Sequence, residues 1–98
     1  MSKTIYYRTK DGRADFGFSF EQQSDGSFLA FIVTMPSYGS RPTGLHVTHR
    51  LTDSSGRYYV CWDRRIKSID ELKGVVALWS DLTHVYIRTG RTIDEQNS

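Results

Sequence analysis

ADFGFSFEQQSDGSFLAFIVTM, residues 14–35, decides the fold. Phe16, Phe18 and Phe20 alternate with Asp15, Gly17, Ser19 and Glu21. Successive side chains of a strand point to opposite faces, so the three rings share one face of a sheet and the polar groups share the other. Asp25-Gly26 then supplies a tight turn, because both residue types tolerate positive φ. FLAFIVTM, which follows, is apolar on both faces. That pattern marks a central strand covered twice, or one whose second face meets a partner.

Working outward, TIYYR (4–8) predicts a strand joined to Asp15–Glu21 through a KDGR turn (10–13). Downstream, PSYGSRPTGL (36–45) holds both prolines and two glycines. It predicts a loop of about ten residues, longer than the usual connection and therefore a candidate for function. HVTHRLT (46–52) and RYYVCWD (57–63) predict a second hairpin around DSSG, with Val47, His49 and Leu51 on one face and Tyr58, Val60 and Trp62 on another.

The last predicted element is a helix, residues 69–89. Ser68 and Glu71 form a capping-box pattern at its start, and Gly90 stands at the C-terminal stop, just after Arg88. Ile69, Leu72, Val76, Trp79, Thr83 and Tyr86 form one apolar stripe; Val75, Leu78, Leu82 and Val85 form a second. Together they span roughly 200° of arc. A helix on a sheet needs only about 100°. Either the sheet curls round the helix, or the second stripe meets another chain. His84 falls on the polar side. The expected fold is α+β: an antiparallel sheet of four to five strands (hairpin, strand, loop, hairpin) packed on one long C-terminal helix, in a single domain spanning residues 1–98, with residues 91–98 as a disordered tail.

Composition fits a soluble globular module. Charged residues are 24%, and no apolar run approaches the ~18 residues of a membrane span. The start, MSKTIYYRTKDGR, has no apolar signal-like core, and one cysteine excludes an internal disulfide; a cytoplasmic location is expected. The net charge of +2 is unevenly spread. Residues 36–67 carry six basic side chains (Arg41, Arg50, Arg57, Arg64, Arg65, Lys67) against Asp53 and Asp63, net +4, and residues 68–98 are net −2. Such bipolarity suits an acidic partner or head-to-tail self-association.

Catalytic and metal patterns are absent from the sequence. His46 and His49, three apart on a strand, would face opposite ways and could not share an ion. Cys61 reads as a packed thiol whose one candidate base is His49. The acids are scattered, and no nucleophile or phosphate-loop motif occurs. No metal or cofactor is expected. Asp63-Arg64-Arg65-Ile66-Lys67 leads into the helix N-terminus, making Arg57, Arg64, Arg65 and Lys67 candidate anion or nucleic-acid contacts.

FSFEQQSDGSFLAFIV is similar to the central hairpin of the cold-shock domains: alternating phenylalanines, a D-G-S turn, then a strand carrying Phe31. The similarity covers 16 of the 98 residues and implies base stacking on exposed rings. Ser19 stands where that family has a glycine, and a long C-terminal helix is foreign to its barrel. The helix needs an apolar sheet face, so the rings are expected beneath it.

The expected function is therefore that of a non-enzymatic protein-binding module. Small adaptors and inhibitors of host proteins, the anti-CRISPR type among them, share this profile. The contact residues expected are Tyr38, Arg41 and Arg50 in and after the loop, plus Leu78 and Val85 on the second helix stripe, the latter pair serving a homodimer. The alternative is nucleic-acid binding through segment 36–67, and a small enzyme stands third.

Overall fold

The computed structural model describes residues 4–97. It is an α+β fold. Strands β1 (Thr4–Arg8), β2 (Asp15–Gln22) and β3 (Phe28–Thr34) precede a loop and a short helix α1 (Leu45–Thr48). Strands β4 (Arg50–Thr52) and β5 (Tyr58–Val60), the long helix α2 (Ile69–Thr89) and a final turn α3 (Ile93–Gln96) complete it. The five strands pair antiparallel in the order β1-β2-β3-β5-β4. The three turns foreseen around Gly12, Gly26 and Gly56 close the hairpins, each glycine at positive φ.

The phenylalanine alternation builds the core as its period requires. Phe16 and Phe18 are fully buried, and each meets the Trp79 ring edge-on, at 5.8 and 6.0 Å between centroids. T-shaped pairs set ring edges against ring faces, which adds to the gain from burying their area. Ala30 of β3, small and buried, leaves room for these rings.

Several expectations are corrected. Residues 46–49 are not strand. Gly44 O accepts both the Thr48 N–H and its hydroxyl, which closes one helical turn, and His49 ends it at φ 53°. Strand begins only at Arg50. The reason lies in the core. The Trp79 indole N–H is buried and needs an acceptor, and Thr48 O supplies it at 3.1 Å. The tail is structured as far as the description runs. Thr92 and Glu95 form a reciprocal capping box, and Ile93 is buried in the core; Ser98 lies outside the described residues. At the start of α2, Ser68 caps Glu71 N–H, but the Glu71 carboxylate turns to Arg64 instead of reaching back.

The wide helix stripe also resolves differently. The buried arc of α2 is displaced toward the side expected to be polar: Ser80 and His84 are buried, whereas Leu78 is 44% exposed. The β1–β2 turn causes the displacement. Asp11 Oδ2 lies 2.8 Å from His84 Nε2, and Asp81 accepts from Tyr7 Oη and from Lys10 N–H. On the other flank, the Gln96 side-chain amide donates from Nε2 to Leu82 O at 3.0 Å, so α3 covers part of the second stripe.

Candidate functional site

The residues proposed from sequence fall into three groups. Tyr38, Arg41 and Arg50 are committed internally. The Tyr38 ring packs edge-on against Tyr86 at 6.2 Å, and burial pushes its hydroxyl pKa up. Arg41 donates to Ile87 O and Arg88 O, satisfying carbonyls that the helix end leaves open. Arg50 is buried; it donates to Thr48 Oγ1 and Thr43 O, and its guanidinium lies over the Tyr38 and Tyr58 rings.

The second group, Arg57, Arg64 and Arg65, is exposed but paired with carboxylates. Arg57 joins Glu21 and Asp53, Arg64 joins Glu71, and Arg65 joins Asp25. Lys67 is exposed. The third group sits on α2, where Leu78 is exposed and Val85 half-buried.

One face of the sheet carries α2, with α1 and α3 on the same side. The other face is covered by no helix or strand among the described residues. The register sets Ser19, Phe31, Tyr59 and Leu51 in one row across that open face, and Tyr6 lies opposite Gly17. Phe31 is sheltered by Tyr59 and by the Arg57 guanidinium, 3.9 Å above its ring. Tyr6, Leu51 and Val33 remain exposed, Val33 to 51%.

At the β4 edge this face runs into a cleft of about 560 Å³ lined by Leu45, His46, His49, Leu51, Cys61 and Trp62, with Asp63 and Asn97 at its rim. A second hollow continues from Leu51, Cys61 and Trp62 to Leu29 and Tyr59. The helical turn of α1 builds the cleft wall. It lifts Leu45 and His46 out of the sheet plane, and the His46 and His49 rings stack at 6.5 Å, on one side and not on opposite sides as a strand would place them. His49 is fixed from two directions: its carbonyl accepts Cys61 N–H, and Nε2 lies 2.8 Å from Asp94 Oδ1. A non-glycine residue at positive φ is held there only by such surroundings.

Among the described residues, no group of three His, Cys, Asp or Glu side chains is placed to hold a metal ion, and no helix is long and apolar enough to cross a membrane. Sequence reasoning missed Leu45, Trp62 and Asn97 as neighbours. The available signal was Gly44 ahead of Leu-His-Val-Thr, a break from which a helical turn can start. Comparison with protein-family models, curated proteins and solved structures gives no match for this chain.

Proposed function

We propose that this chain is a non-enzymatic protein-binding module, a small adaptor or inhibitor, that engages another protein through its open sheet face and the adjoining cleft. The observation that carries this is the sheet face away from α2, where Tyr6, Val33 and Leu51 stay exposed and Phe31 is sheltered only by the Tyr59 ring and the Arg57 guanidinium. Exposed apolar area continuous with a cleft is where protein contacts form. The arginines supporting the nucleic-acid alternative are turned inward or paired, so that reading has less support. Self-association through Leu78 and Val85 has a smaller patch to work with, since Leu82 and Val85 are half-buried.

The test is site-specific photo-crosslinking in extract of the native host. A crosslinker at Val33 is expected to give one saturable adduct that unlabelled protein competes away and a Leu51→Glu variant does not. The same group at Lys73, on the exposed side of α2, should give none. Equal adducts at both positions, or no saturable adduct at Val33, would refute the reading. Light scattering over a concentration series identifies any adduct that is a second copy.

A further inference from the structure

We propose that the cleft at the β4 edge is an anchor pocket for one apolar side chain of a partner segment that carries a lysine or arginine beside it. This deepens the protein-contact reading and rests on it. Leu45, Leu51 and Trp62 provide apolar walls, and the volume exceeds that of a single leucine or aromatic side chain. Buried apolar anchors in such pockets supply most of the affinity of a protein contact.

Charge selects the neighbour of the anchor. The Asp63 side chain is 80% exposed at the rim, and its nearest cation, Arg64, stands 3.8 Å away and is held chiefly by Glu71. Asp94, outside the cleft lining, is engaged by His49 Nε2 at 2.8 Å. Arg50 also lines the cleft, but it is buried and its guanidinium is committed to Thr48, Thr43 and two tyrosine rings. Among the described residues, Asp63 is therefore the one carboxylate in the cleft lining, and the arginine beside it is held chiefly by Glu71. A lysine or arginine laid along Trp62 would meet Asp63 with its head and the indole with its stem. An acidic segment or a phosphate backbone would meet repulsion at the same place.

The probes are three fluorescein-labelled hexapeptides, GRWLRG, GEWLEG and GRSSRG, titrated by fluorescence anisotropy at low salt and mapped by amide NMR. GRWLRG is expected to bind about tenfold or more tightly than GEWLEG, and GRSSRG not measurably. The perturbed amides should be those of residues 45–51, 61–63 and 97. Asp63→Asn should remove most of the preference for the basic peptide, and Leu51→Ser should abolish binding, each variant keeping wild-type amide shifts elsewhere. The proposal is overturned by equal binding of the basic and acidic peptides, by shifts outside the cleft, by indifference to Asp63→Asn, or by no binding at all. If the peptides fail while the Val33 adduct persists, the module reading stands and the anchor pocket falls; if both fail, both fall.

Discussion

Asp11 shows how one side chain in a turn can position a helix. Oδ1 accepts the Thr9 hydroxyl at 2.7 Å and the Arg13 N–H at 3.0 Å, and Oδ2 faces His84 at 2.8 Å. The Thr9 hydroxyl, then the Arg13 amide, hold its pKa down at about 2, against 3.8 ordinarily, with His84 adding to the effect. A carboxylate with a depressed folded-state pKa contributes stability that is complete above its unfolded value and lost as pH falls through the folded one. The contribution is therefore present at neutral pH and disappears from pH 3.8 down to about 2. Asp11→Asn should lower the thermal midpoint at neutral pH, and the gap between variant and wild type should narrow across that window. Parallel curves would show that Asp11 is not a source of acid sensitivity. The same scale shows what composition hides. The sequence counts six basic groups in residues 36–67. It does not show that the helix end, 46 and 47 positions on, takes Arg41, or that Tyr38 and Tyr58 take Arg50, because those contacts are made by the fold and not by local spacing.

At the scale of elements, α3 is the least expected and the easiest to test. Thr92-Ile93-Asp94-Glu95 is itself a capping-box sequence, so its start was legible. Its importance was not, because four residues make no helix alone; Ile93 in the core, the Gln96 bond to Leu82 O and the Asp94 contact with His49 sustain them. Ile93→Ala should cost about 2–5 kcal/mol in denaturant unfolding, the range for emptying a buried aliphatic site. A loss under about 0.5 kcal/mol would mean that the segment is loosely attached. The β1–β2 and β2–β3 hairpins and α2 were readable because their periods and turn residues agree locally. Residues 46–49 were misread because Val47 and Thr48 alternate like a strand, while Gly44 and the acceptor needed by Trp79 favour a turn. The cleft depends on that turn, so it was illegible for the same reason.

For the whole molecule, α2 is met by the sheet and α3, by the β1–β2 turn at Asp81 and His84, and by the 36–45 loop at Tyr86 and the helix end. Leu78 lies outside all of them. Leu78→Glu should therefore leave the unfolding free energy within about 0.5 kcal/mol of wild type. A loss of several kcal/mol would mean that the residue is covered in solution, by a second copy or another chain. Light scattering of wild type and variant together separates those two cases.

The ties between the β1–β2 turn and α2 join parts made far apart in time. Tyr7 reaches Asp81 and Asp11 reaches His84, across 74 and 73 positions of chain. During synthesis the phenylalanine face emerges early and stays wet until residue 79 has been added. Because loop closure must precede the reward from such distant contacts, final locking waits until α2 has been made. A ribosome that stalls within α2 would release a hairpin sheet with its rings open to water, prone to association with others like it.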